Sequence, residues 1–378
     1  MSLLKFRLAY RNLFHDRLRF IATIVGIVFS IVLVTVQAGL YVGFRRMVTT
    51  MIDHSPADLW IMPAGTKCFE DPSLLDDRQR FRALAVDGVA EAAPLVIGYA
   101  QWRLPSGTTT PVFIVGSELQ GYGLRPWNVA GGRVEDLSIP GAVAIDQSYF
   151  ERLGINATGA SAEIRDQRIA VAAVTRGIRS FTTTPYVFAG VDRARAYTGT
   201  AANKASYFLV RVNRDADAGK VQRQLRESLS DVEVLTAAEF RSRSRNFWLF
   251  GTGAGAALFA GALLGLIVGT VIVAQTLYAS TKDHLSEFAT LRAIGSSGAY
   301  IYTVIVWQAL LSAIIGFCGA AAISSIVVAM TADSALAVVV TPAMTFALFL
   351  LTGAMCVASA IAAIVKVMRI DPAMVLAR

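Results

Sequence analysis

The residues that could carry chemistry are few, and their spacing supports little of it. The chain has three histidines, His15, His54 and His284, and three cysteines, Cys68, Cys318 and Cys356. None falls at a metal-ligand spacing, and the cysteines read as packing residues rather than a disulfide framework. No His-Glu-x-x-His, Gly-x-Ser-x-Gly or dinucleotide-binding glycine fingerprint occurs. Gly219-Lys220 is followed by Val221 in a charged segment. A phosphate loop needs a Ser or Thr hydroxyl there to meet Mg²⁺, so this chain has no ATP site of that kind. The acidic pairs Asp76-Asp77 and Glu135-Asp136 sit in polar loops. Paired carboxylates act as acid and base only when they flank a substrate bond, and here they read as solvated charge. The expectation is a chain that is not an enzyme and holds no cofactor or metal of its own.

The elements that would position any site follow from where charge is missing. Of 378 residues only 16% are charged, 54% are apolar, and mean hydropathy is +0.53. Four stretches have no Asp, Glu, Lys or Arg: 20–44, 246–281, 293–332 and 334–365. Each is longer than the ~20 apolar residues that cross a bilayer. Between the first two, residues 45–245 hold 25 basic and 22 acidic residues, an ordinary soluble composition. The fold class expected is an α-helical membrane protein with four transmembrane helices and a mixed α/β extracytoplasmic domain between helices one and two. The segments are a cytoplasmic amphipathic helix 1–19, helix one 20–44, the outer domain 45–245, a stalk and helix two 246–281, a cytoplasmic loop 282–297, helix three 298–331, a short outer loop 332–341, helix four 342–365 and a cytoplasmic tail 366–378.

Basic residues crowd the 1–19 and 366–378 tails, whereas the short loop around Asp333 has none. The positive-inside rule then puts both termini and 282–297 in the cytoplasm of a bacterial inner membrane. The net charge of +8 divides into +4 on the first tail, +2 on the last, +3 on the outer domain and −1 at Asp333. It therefore reports topology and membrane-lipid contact, not nucleic acid. In the tail, Leu3, Phe6, Tyr10, Leu13 and Phe14 share one helical face, which suits an anionic leaflet or a partner subunit. Intramembrane Asp, Glu, Lys and Arg are absent, which disfavours ion-coupled transport.

Stretch 246–281 is too long for a simple crossing, so its start near Asn246-Phe247-Trp248 is expected to project as a stalk. Within it Ala257, Gly261, Gly265 and Gly269 recur every four residues, a small-residue face for close helix packing within or between chains. Pro342 suits the first turn of helix four. In the outer domain, 112–115, 143–145, 169–174, 207–212 and 232–235 read as strands. Leu104–Thr109 reads as a hairpin turn and Asp215–Leu229 as a helix.

The cytoplasmic loop carries a specific pattern. Glu287, Leu291, Arg292, Ala293 and Gly295 form Glu-x-x-x-Leu-Arg-Ala-x-Gly, and Arg369-Ile-Asp371-Pro372 with Leu376 closes the chain. A weaker match is Ala9-x-Arg11-Asn12-Leu13. These resemble the motifs of the FtsX/MacB-type ABC permeases that work by mechanotransmission. Asp58-Leu-Trp-Ile61 and the length look most like DevC-type members. The resemblance implies a separate ATPase subunit that binds ATP and Mg²⁺, and a second permease copy in a homodimer. Lys282, Glu287, Leu291, Arg292 and Gly295 would form the coupling helix against the ATPase. It also implies a membrane-fusion protein and a TolC-like outer-membrane duct, with a lipid, glycolipid or other hydrophobic small molecule as cargo. FtsX-like control of a periplasmic cell-wall hydrolase and LolC/LolE-like lipoprotein release are the alternatives.

Overall fold

The structure, a computed structural model, describes residues 17–71, 73–104, 107–283, 298–332, 334 and 337–368. They divide into a helical unit, up to Gly43 and from Gly255 onward, and an inserted α/β unit, Phe44–Ala254. The helices used below are α1 (Arg17–Met47), α2 (Asp77–Leu84), α3 (Val191–Thr198), α4 (Ala218–Ser228), α5 (Ala237–Asn246), α6 (Ala254–Asp283), α7 (Gly298–Thr331) and α8 (Pro342–Met368).

The main sheet of the inserted unit has ten strands: β1 (Leu59–Pro63), β2 (Val89–Arg103), β3 (Thr109–Ser117), β4 (Val129–Gly132), β5 (Ala142–Asp146), β6 (Ser161–Ile164), β7 (Gln167–Thr175), β8 (Tyr186–Gly190), β9 (Tyr207–Val212) and β10 (Val232–Thr236). Their hydrogen-bonded order is β10-β1-β9-β2-β3-β8-β5-β7-β4, with β6 bridging β7 and β2. The path β2-β3-β8-β5-β7-β6 thus returns to β2 and closes a six-stranded barrel. Closure hides edges that would otherwise seek other strands. Alternate residues from all six strands, among them Trp102, Ile114, Ile145, Ile164, Val171 and Val187, join one buried cluster.

All five expected strands are present, each as part of a strand as long or longer. The hairpin turn at 104–109 implies a strand on either side, and β2 and β3 are those strands, but the length of β2 was not expected. Its Ala92–Gly98 stretch is buried on both faces before it begins to alternate. Pro94 and Gly98 interrupt the pattern in sequence, because proline donates nothing to a ladder and glycine weakens a strand. Strand β9, α4 and β10 form the expected strand–helix–strand. Both strands pair antiparallel with β1, which lies between them. Helix α4 begins where Asp217 accepts from Gly219 N at 2.9 Å, and it buries Val221 and Leu225.

The helical unit has four helices able to span a bilayer by length and composition, over Phe20–Met47, Ala254–Thr276, Tyr302–Thr331 and Pro342–Ala362. Helix α1 packs against α6, α7 and α8. A Cβ at Gly261 would come within 2.6 Å of Gln37 Nε2, one at Gly265 within 3.0 Å of Leu33 Cδ2, and one at Gly269 would overlap Ser30 Oγ. Ser30 Oγ donates to Gly265 O at 2.7 Å, and Ser359 Oγ donates to Thr270 O at 3.1 Å. The absent side chains let α6 approach α1 closely enough for hydroxyl-to-carbonyl bonds across helices.

Ala257 is exposed within the single chain, so the close approach to α1 begins at Gly261. One expectation is corrected. Residues 246–281 are not one continuous stalk and helix. Helix α5 ends at Asn246, a π-helical turn covers Phe247–Gly251, and α6 starts only at Ala254. Gly253 takes φ +77°, a left-handed backbone that breaks a helix and that glycine accepts without strain. Residues 246–253 accordingly pack with the inserted unit.

Candidate functional site: the root of the inserted unit

The chain enters the inserted unit at Phe44 and leaves it at Ala254. Within the inserted unit, the segments next to these two crossings are 44–54 and 237–253. Local sequence fixes both. After Met47 the chain makes a single helical turn, Thr50–Asp53, with Met51 and Ile52 buried. Helix α5 starts in a capping box: Thr236 Oγ1 accepts from Glu239 N at 3.1 Å, while Glu239 Oε2 accepts from Thr236 N at 2.8 Å.

These segments are fastened to each other. Ser244 Oγ donates to Val48 O at 3.3 Å. Arg241 pairs with Asp53, whose other oxygen accepts from Thr49 Oγ1 at 2.7 Å. The ring of Phe181 stands between Phe44 and Trp248, with centroids 5.4 and 4.6 Å away and both contacts edge-to-face. His54 stacks flat on Trp127 at 3.9 Å.

They are also fastened to the barrel. Phe181 sits on the loop after β7, and Asp146 holds that loop. The Asp146 carboxylate is buried and accepts from Ile178 N at 2.7 Å, Thr175 Oγ1 at 3.0 Å, Ser148 N at 3.0 Å and Ser148 Oγ at 2.6 Å. Tyr149 OH accepts from Ser180 N at 2.7 Å. Asp146 thus ties β5 to the loop that carries Phe181, whose ring contacts both Phe44 and Trp248.

A second carboxylate, Glu70, meets Trp248 from the loop after β1. Its Oε2 accepts from Trp248 Nε1 at 3.0 Å and its Oε1 from Tyr186 OH at 3.4 Å. Burial pushes its pKa from 4.5 up to about 7, against the pull of the Trp248 and Tyr186 donors. Burial, with help from the Glu70 charge, pushes the neighbouring Cys68 thiol up to about 12, so it is not a nucleophile near neutral pH. Tyr207 OH pins the same loop by donating to Phe69 O at 3.0 Å. Among the described residues, no three His, Cys, Asp or Glu side chains gather as a metal site.

Of the coupling residues expected from sequence, Lys282 falls in the last turn of α6. Glu287, Leu291, Arg292 and Gly295 lie outside the described residues, as do most of the 1–19 tail and the Arg369–Leu376 motif. Sequence reasoning missed Asp53, Glu70, Asp146, Phe181 and Arg241 as a group, since no motif links positions so far apart. Phe247-Trp248 at the edge of a charge-free stretch was the one local signal, because aromatic residues gather at membrane interfaces.

Two family models cover the chain. The MacB-like periplasmic core domain matches residues 20–228, more than half of the sequence, and the FtsX-like permease C-terminal matches 248–372. No curated protein matches. Among solved structures, the periplasmic region of MacB from Actinobacillus actinomycetemcomitans is 11% identical with a TM-score of 0.39, covering 50% of this chain and 92% of that one. The extracellular domain of the noncanonic ABC-type transporter YknZ from Gram-positive bacteria is 16% identical with a TM-score of 0.35, covering 48% and 99%. On the two family matches and the order of the four apolar helices around the inserted α/β unit, the chain belongs to the FtsX/MacB-like ABC transporter permeases, as a multi-pass membrane protein with a MacB-like periplasmic core domain between its first and second helices.

Proposed function

We propose that this chain is the membrane subunit of an ATP-driven exporter that transmits the motion of a separate ATPase to its periplasmic domain. ATP and Mg²⁺ belong to that partner. Two copies of the chain pair with it, and the loop 282–297 receives the stroke through Glu287, Leu291, Arg292 and Gly295. The termini and this loop face the cytoplasm, across the inner membrane from the inserted unit. A DevC-type membrane-fusion protein and a TolC-like duct complete the path. The cargo is a lipid, glycolipid or other hydrophobic small molecule.

The observation that carries this reading is the root. Its two chain crossings are tied to each other by Arg241–Asp53 and Ser244–Val48, and to the barrel through Phe181. A domain that only bound a partner would not need its entry and exit segments clamped in this way. The test is co-purification of the chain from membranes, followed by ATPase and export assays on the double variant Glu287→Ala/Arg292→Ala. The complex should still assemble and hydrolyse ATP while export falls at least tenfold. Unchanged export by an assembled variant complex would sink the coupling role of the loop.

A further inference from the structure

An open cleft of about 550 Å³ lies at the root of the inserted unit, where the turn after β1 meets the C-terminal end of α5. Lys67 stands on one side, and Arg243, Asn246 and Phe247 on the other. Glu233 of β10 bridges the two sides. Its Oε1 accepts from Gly65 N at 3.0 Å and its Oε2 pairs with Arg243, so this carboxylate is spent. Arg243 also donates to Thr66 O at 3.3 Å, and Thr66 Oγ1 donates to Pro63 O at 2.7 Å.

Lys67 and Asn246 are different. Both are exposed, and neither side chain has a hydrogen-bond or ion-pair partner among the described residues. The lysine ammonium offers three donors and the asparagine amide two. Lys67 and Arg243 against Glu233 leave the cleft with one net positive charge. A site with free cationic donors and no free carboxylate suits an anion.

Chain continuity says which anion. Phe247 lies seven residues before Ala254, where a span long and apolar enough to cross a bilayer begins. Seven extended residues reach ~25 Å at most, and Phe247–Gly251 is coiled as a π-helical turn, which shortens that reach. The cleft therefore opens close to the headgroup layer. Phe250, on the same turn, is 67% exposed, an apolar side chain placed to dip among lipids. The other crossing is also basic. Arg45 and Arg46 in the last turn of α1 are exposed, and their side chains have no partner among the described residues. Basic residues beside a membrane draw anionic lipids to them.

We propose that this cleft binds the phosphate of an anionic phospholipid in the leaflet next to the inserted unit, with Lys67 Nζ and Asn246 Nδ2 donating to the phosphate oxygens and Phe247 and Phe250 meeting the glycerol and upper acyl carbons. A zwitterionic headgroup would bring an ammonium for which the cleft has no free carboxylate. The site needs no ATPase and does not rest on the export reading, so the two can fail separately.

The test uses the full chain in phosphatidylcholine nanodiscs, without ATPase. The probes are phosphatidylglycerol and phosphatidylcholine, each carrying a photoactivatable diazirine in its headgroup, with adducts mapped by mass spectrometry. Adducts of the phosphatidylglycerol probe should concentrate on 64–68 and 243–250, at least fivefold above those of the phosphatidylcholine probe. Lys67→Gln should weaken half-saturation about fivefold, the worth of one basic residue at a lipid surface. Lys67→Glu should weaken it at least tenfold, and Lys67→Arg should leave it unchanged. Size-exclusion profiles confirm that these surface variants fold. Equal labelling of the cleft by the two probes, or phosphatidylglycerol labelling unmoved in folded Lys67→Glu, would overturn the site. Displacement of the lipid probe by millimolar soluble glycerol 3-phosphate would overturn the assignment to a membrane lipid.

Discussion

Replacing Glu70 by glutamine should stabilise the root at alkaline pH, although it removes a charge that accepts two hydrogen bonds. Glutamine keeps a carbonyl oxygen for Trp248 Nε1 and never ionises. In the wild type, burial raises the Glu70 pKa from 4.5 to about 7. Between those values the folded state holds a proton that the unfolded state has released. Stability is therefore full below about pH 4.5 and is lost as pH rises through about 7. The ceiling on that loss is ~3 kcal/mol, taking 1.36 kcal/mol per pH unit, and water reaching the partly covered residue lowers it. The assay is amide hydrogen exchange of 66–71 and 247–251 in the full-length protein, corrected for the intrinsic effect of pH. Local protection in the wild type should fall at least tenfold between pH 5.5 and 8, while Glu70→Gln stays flat. A wild type as flat as the variant would refute the claim that this carboxylate is held against its charge.

Gly269→Val should abolish accumulation of folded protein, because Ser30 Oγ already occupies the space of a Cβ at 269 and rigid overpacking costs ~1–3 kcal/mol or more. Ala257→Val on the exposed side should be tolerated, and expression with size-exclusion profiles compares the two. Asp146→Ala should free the loop carrying Phe181, since Ile178 N and Ser148 N lose their acceptor at ~1–3 kcal/mol each. Limited proteolysis within 176–185 reads that release. A double-mutant cycle on Asp53→Asn and Arg241→Gln should give a coupling of at most ~1 kcal/mol, because both side chains are more than a third exposed.

Much of the architecture was legible because it follows from one-dimensional properties. Charge-free length finds the spanning helices, alternation finds strands such as Gln167–Thr175, and Pro342 marks a helix start. The barrel was not legible. It closes only because β6 pairs with both β7 and β2, and no local pattern encodes a pairing between Trp102 and Ile164. The break before α6 was not legible for a related reason. Uncharged composition extends without a break through Gly251-Thr252-Gly253, while the backbone changes direction there. The root was the least legible. Its members come from positions 44–54, 70, 146, 181 and 241–248, and each alone looks like ordinary core or surface. The motif-bearing loop shows the converse case: Glu287, Arg292 and Gly295 stand out in the sequence and lie outside the described residues.

The most direct measurement of the central claim is hydrogen exchange at 44–54 and 237–253 in the complex with its ATPase, compared without nucleotide and with ATP bound but not hydrolysed. Force transmitted through the root predicts that both segments change protection together on ATP binding. It also predicts that the change vanishes in Glu287→Ala/Arg292→Ala while the ATPase stays bound. Exporting complexes whose root exchanges identically with and without ATP, or a change that survives intact in the variant, would contradict it.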